Sequence, residues 1–191
     1  MTDYIRPFTH LILPDGSIPD AQMVMVRHLT DMRGFYADAD AEAALAETNP
    51  LIYEVYYAYN PEQIEGELGI CTSIIHPGKV GNEYFMTKGH FHGKIDRAEL
   101  YYGLRGEGML VMETPDGRSE ARRMSPGVAA YVPPYYAHRT VNIGSEPFVF
   151  LACFPADAGY DYATIAERGF ASIVVEQAGE AAVIPNPKRG G

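Results

Sequence analysis

The chain contains no tryptophan and only two cysteines, Cys71 and Cys153, among its 191 residues. The two lie far apart in largely apolar runs, so buried free thiols are expected rather than a bridge, as in a reducing compartment. Positive charge is also scarce: 15 Lys and Arg stand against 25 Asp and Glu, a net charge of -10. With no basic run to offset that balance, a nucleic-acid or anionic-membrane surface is excluded. An anionic ligand would therefore need a local positive site. No apolar stretch approaches the ~18 residues of a membrane span. The N-terminus, with Asp3 and Arg6 ahead of Pro7, has no signal-peptide core. A cytoplasmic protein is expected, without nucleic-acid or membrane partners.

What the chain has in quantity is tyrosine, 14 residues, and phenylalanine, 8, both enriched in strands. Residues 1–191 are expected to form one domain, long enough to bury a full core. Residues 1–50 read as an N-terminal extension, with a short apolar run from Met23 to Val26 suited to an edge strand. Asp38 and Asp40 then precede a short helix over 41–47, ended by Asn49-Pro50. Residues 51–155 read as a barrel core of short strands, at 51–59, 68–76, 84–92, 98–104, 109–113, 119–124, 129–132, 138–143 and 148–154. Turn signals divide them at Pro77-Gly78, Pro115-Asp116-Gly117, Ser125-Pro126-Gly127 and Gly144-Ser145. Such spacing implies a sandwich or barrel rather than βαβ units. Over 156–191 a helix at 161–168 closed by Gly169, a hairpin turning at Ala178-Gly179 and a loose tail from Asn186 are expected.

The informative stretch is Thr87-Lys88-Gly89-His90-Phe91-His92. Two imidazoles at i and i+2 fall on one face of an extended strand, because side chains alternate with a period of two. That is a metal-ligand spacing. A chain that turns near Asp96 and returns through 98–104 lays Glu99 beside the pair. His138, just after the Pro133-Pro134 corner and at a strand entrance, would be the fourth ligand. Imidazole nitrogen and carboxylate oxygen suit divalent metals. His10, His28 and His76 have no such company and read as ordinary histidines.

These segments resemble the paired motifs of the cupin superfamily. The first match is His90, His92, Glu99 and Gly106; the second is Gly127, Pro133, His138 and Asn142. There are two departures. The gap from His92 to Glu99 is longer than usual, and the glycine expected at Tyr135 is missing, so those turns are expected to differ in shape. Three longer phrases, Tyr84 to His92, Tyr131 to Asn142 and Pro155 to Tyr162, resemble the cupin-type, or archaeal-type, glucose-6-phosphate isomerases more specifically, over residues 51–170. The resemblance implies an all-β fold, the cupin double-stranded β-barrel or jelly roll, with a few short helices. It implies metal ligands at His90, His92, Glu99 and His138, holding one divalent metal per subunit. Iron(II) is the first candidate, with Mn, Ni and Zn as alternatives. It further implies interconversion of glucose 6-phosphate and fructose 6-phosphate, and a homodimer. Some relatives carry histidine where this chain has Tyr160.

The chemistry fits the residues. Moving hydrogen between C1 and C2 builds charge on the sugar oxygens, which a divalent cation stabilises. Glu99, the sole carboxylate of the constellation, is the candidate catalytic base of an enediol route. A bound cation lowers a carboxylate's proton affinity, so a metal-assisted hydride shift stays open. For the phosphate of a sugar-phosphate substrate, Thr87, Lys88 and Gly89 offer a hydroxyl, an ammonium and a backbone N–H. Tyr101 shares the strand face of Glu99, Ser73 lies on a neighbouring strand, and Tyr162 could close the pocket mouth. The same four ligands would also serve a cupin dioxygenase, another metal-dependent sugar enzyme or a non-catalytic sugar-binding cupin.

Overall fold

Three antiparallel sheets make up the fold of residues 6–58 and 64–189, the parts of the chain that this computed structural model describes. Tyr59, the last position of the expected 51–59 strand, lies outside the described residues, as does Asp3 near the N-terminus. In chain order the strands are β1 Met23–His28, β2 Leu51–Tyr57, β3 Leu68–Ile75, β4 Lys79–Val80, β5 Glu83–Tyr84, β6 Glu99–Arg105 and β7 Gly108–Glu113. They continue with β8 Ser119–Met124, β9 Ala129–Val132, β10 Ala137–Asn142, β11 Phe148–Pro155, β12 Ser172–Gln177 and β13 Glu180–Pro185. The helices are α1 Ala39–Leu45 and α2 Ala163–Arg168. Among the described residues no helix is long and apolar enough to cross a membrane.

The largest sheet runs β1-β2-β3-β11-β6-β9, the second β10-β7-β8 and the third β13-β12-β5-β4. This is the all-β jelly roll with a few short helices that the sequence implied. Period-two alternation decides which residues face inward. On β6, Glu99, Tyr101 and Gly103 are buried while Leu100 and Tyr102 are exposed. Leu110, Val132, Phe148 and Phe170 are fully buried between the layers, and each such side chain contributes about 1.5–3 kcal/mol. Asn142 ties the elements together. Its amide donates to the carbonyls of Ile75 and Glu146 at 2.8 Å each.

Several local expectations match and others shift for identifiable reasons. Pro115-Asp116-Gly117 turns the β7–β8 hairpin, with Gly117 at φ +87. Met23 to Val26 does form an edge strand, and Ala178-Gly179 turns β12 into β13. The helix expected at 41–47 starts two residues earlier, because Asp38 caps it by accepting the Ala41 N–H at 2.9 Å. The expected strand over 84–92 is not continuous: beyond β5 it makes only single bridges at Met86, His90 and Phe91. Asn186 is not the start of a loose tail. It is buried, and its side chain donates to the Phe170 carbonyl at 2.8 Å.

Candidate metal centre

The two histidines of the His-x-His pair do not stand on a regular strand, because Gly89 before them adopts φ +72. A β carbon on Gly89 would lie 2.6 Å from the Phe170 ring and 2.9 Å from the His138 carbonyl oxygen. The backbone conformation and the crowding both demand glycine. What aligns His90 is instead an isolated backbone pairing with His138. The His90 amide donates to the His138 carbonyl at 3.2 Å, and the His138 amide returns the bond at 3.0 Å. Residues paired in this way project side chains to the same face, and the two rings sit 4.6 Å apart. The His92 ring lies 5.1 Å from that of His138. Glu99, opening β6 on its inward face, places Oε2 at 3.1 Å from His92 Nε2 and 3.0 Å from His138 Nε2. One ligand atom from each of the four residues lies within 4.8 Å of the others.

The long connection from His92 to Glu99 is a pinned turn. The Arg97 amide donates to the Lys94 carbonyl at 3.0 Å, and the Lys94 amide to that of Ala158 at 2.8 Å. Asp157 then accepts from Lys94 Nζ at 2.6 Å and Arg97 Nη2 at 2.8 Å. These bonds, Arg97 first and Lys94 second, hold the Asp157 carboxyl well below the usual carboxylate range. At the other departure, Tyr135 takes φ +72, the left-handed conformation that glycine would adopt without cost. Tyr135 therefore holds as backbone strain the conformation that a glycine would adopt freely.

The electrostatics test whether a cation fits. His92 Nδ1 donates to the Arg97 carbonyl at 2.9 Å, which leaves the lone pair of Nε2 facing the Glu99 carboxylate. His90 Nε2 and His138 Nε2 are buried without a hydrogen-bond partner. His138 Nε2 is close to Glu99 but not aligned to share a hydrogen with it. A buried group of acceptors aimed at one another is costly unless a proton or a metal sits among them. The titration directions agree. Burial, and then the neighbouring His138, push His90 well below its ordinary value. Burial also opposes charge on His92, but the Glu99 contact outweighs it and raises the group. Burial pushes the Glu99 carboxyl up, yet the neighbouring His138 and His92 imidazoles prevail and hold it at about 2. The donor set fits a divalent cation.

A cavity of about 60 Å³ opens beside the cluster. All six residues singled out for substrate contact line it: Ser73, Thr87, Lys88, Gly89, Tyr101 and Tyr162. The Thr87 hydroxyl oxygen accepts the Thr140 N–H at 3.1 Å. The Lys88 ammonium lies 5.4 Å from the centre of the Phe35 ring, and burial, then Arg27, lower its pKa. Burial holds the Tyr101 hydroxyl neutral. The Tyr162 ring is 5.1 Å from that of His90 and stacks on Tyr160. Sequence reasoning missed Tyr53 and Tyr57, which also line the cavity. Their shared strand face was visible in the alternation of 51–57, but not the site that this face meets. Cys71, a further wall residue, is a buried free thiol whose pKa burial raises; Cys153 is free and half-buried.

Comparison with known proteins identifies the family. A family model described as glucose-6-phosphate isomerase (GPI) matches residues 26–187. The glucose-6-phosphate isomerase of Thermococcus gammatolerans is 51% identical over 187 residues, 97% of this chain and 98% of that one. That of Pyrococcus horikoshii is 53% identical over 175 residues, 91% of this chain and 92% of that one. Among solved structures, oxalate decarboxylase from Bacillus subtilis aligns with a TM-score of 0.45 and 27% identity, over 56% of this chain and 26% of that one. With a family match across most of its length and relatives half identical end to end, this chain belongs to the glucose-6-phosphate isomerase family.

Proposed function

We propose that the chain interconverts glucose 6-phosphate and fructose 6-phosphate as a metal-dependent aldose-ketose isomerase. His90, His92, Glu99 and His138 would hold one divalent cation per subunit, iron(II) before Mn, Ni or Zn. The observation that carries this reading is the convergence of four acceptor groups within 4.8 Å, three of them on buried residues and His90 half-buried, in a chain half identical to enzymes of that name. Bound there, the cation supplies charge stabilisation to the substrate oxygens at C1 and C2.

The remaining work falls to the protein's own side chains. Among the described residues Glu99 is the sole carboxylate on the cavity wall. It takes the proton from C2 of the aldose and returns it to C1, while the hydroxyl proton on O2 passes to O1, so the ketose forms with no net change in atoms. A carboxyl held at about 2 is a weak base, so this route requires Glu99 to exchange its histidine contacts for the substrate proton. Lys88, Thr87 and the Gly89 N–H take the phosphate. Ser73 and Tyr101 face the sugar, and Tyr162 closes the mouth.

Turnover of glucose 6-phosphate, measured with metal content before and after chelation, tests the reading. Activity that survives complete metal removal would overturn it. Substrate deuterated at C2 tests the role of Glu99. Partial loss of label to solvent is expected, and complete retention in the product would point to a hydride shift instead.

A further inference from the structure

Arg139 follows His138 on β10, so the two side chains project to opposite faces of the strand. His138 joins the four-residue cluster. Arg139 enters the core behind it and is only 3% exposed. Charged side chains are seldom buried so deeply unless paired, yet among the described residues no carboxylate pairs directly with this one. Glu83, the acid that acts on it most, is engaged by the Ala37 N–H at 2.8 Å. Glu113 is held by Arg168 and Arg189. Burial lowers the pKa of Arg139 to about 10, which leaves it charged at neutral pH.

What this guanidinium does hold is the chain leading into the cluster. Nη2 donates to the Lys88 carbonyl at 2.9 Å, Nη1 lies 2.9 Å from Met86 Sδ, and the Phe170 ring covers the group with its centre 4.2 Å away. Gly89 is pressed against the same side chain, since a β carbon there would lie 2.8 Å from Arg139 Cβ. Met86 to Phe91 forms no regular strand and is aligned only by single bridges. The Lys88 carbonyl and the Gly89 N–H are the two ends of one planar trans peptide and point in opposite directions. With the carbonyl drawn to Arg139, the N–H is turned the other way, toward the cavity that Gly89 lines. No acceptor among the described residues takes that N–H.

We propose that Arg139 is a positioning residue: from behind the cluster its guanidinium fixes the Lys88–Gly89 peptide and so sets where His90 enters the ligand group. A regular strand would orient His90 by its ladder of hydrogen bonds. Here single bridges and one charge-assisted bond do so instead. A lysine would keep the charge but could not meet the carbonyl, the sulfur and the ring face together. For its catalytic consequence the assignment rests on the isomerase reading; the restraint on the backbone does not.

The test compares the wild-type protein with Arg139→Met and Arg139→Lys, after thermal melts establish which variants are folded. Hydrogen exchange on the metal-free protein, followed by mass spectrometry, reads the restraint across residues 86–92. Arg139→Met is expected to exchange there about tenfold faster or more, the scale of one charge-assisted hydrogen bond, with β1 and β2 unchanged. Calorimetric titration of Mn(II) should show affinity lowered by about 10- to 100-fold, as for other groups that support a metal ligand. On fructose 6-phosphate, kcat should fall by more than KM rises. Arg139→Lys is expected to lie between the wild type and Arg139→Met, and it carries the same comparison should the methionine variant not fold. Wild-type protection across 86–92, or wild-type Mn(II) affinity, in a folded variant would overturn the positioning role, as would exchange quickened in every strand alike. Wild-type protein that neither binds Mn(II) nor turns over substrate would overturn the isomerase reading, and the exchange comparison would still decide the role of Arg139.

Discussion

At the scale of single residues, two positions carry opposite lessons. His138 supplies both a backbone pairing to His90 and a ring nitrogen to the cluster. His138→Ala keeps the first and removes the second. Metal content and turnover are expected to fall together, by at least about 10- to 100-fold, since losing even a supporting partner of a metal ligand costs that much. Unchanged metal content, read by atomic absorption, would remove His138 from the ligand set. Tyr135 is 55% exposed and held at φ +72. Its left-handed backbone costs roughly 1–2 kcal/mol, against about 0.5–1 kcal/mol for the extra chain entropy of glycine. Tyr135→Gly is therefore expected to leave the melting temperature unchanged or slightly higher. A marked drop would mean that the tyrosine ring contributes packing its exposure does not suggest.

At the scale of elements, the turn joining His92 to Glu99 decides whether the carboxylate meets the imidazoles, and Asp157 pins that turn through Lys94 and Arg97. The folded-state pKa of Asp157 lies below its ordinary value of about 3.9. A depressed carboxyl stabilises the native state above the unfolded pKa, and that stabilisation is lost as pH falls through the folded value. Asp157→Asn is expected to lower the melting temperature at pH 7 and to flatten its decline below about pH 4. Calorimetry at a series of pH values reads both effects, and an unchanged slope would show that the pairing adds nothing. The segment 84–92 shows how an element can be misjudged. His-x-His suggested a strand by its period, but Gly89 breaks the extended run, and the backbone of β10 restores the alignment one bridge at a time.

At the scale of the whole molecule, β1 is the outer strand of the six-stranded sheet, and its Met23, Val24 and Val26 are exposed. An apolar open edge is a liability unless something covers it, which supports the expected homodimer. Sedimentation equilibrium should give twice the 21.1 kDa chain mass, and Val24→Lys should shift the balance toward monomer. A monomer at micromolar concentration in the wild type would reject the assembly. Outside 84–92 the strand pattern, the turns at Pro115-Asp116-Gly117 and Ala178-Gly179, and the chemical identity of the four clustered groups were legible along the chain. Each depends on local period, local turn stereochemistry or side-chain type. The pairing of His90 with His138, the strained fit of Tyr135, the arrival of Tyr53 at the cavity and the burial of Asn186 were not legible. They depend on contacts between segments distant in sequence, which no short-range pattern encodes and which form only when the sheets close over one core.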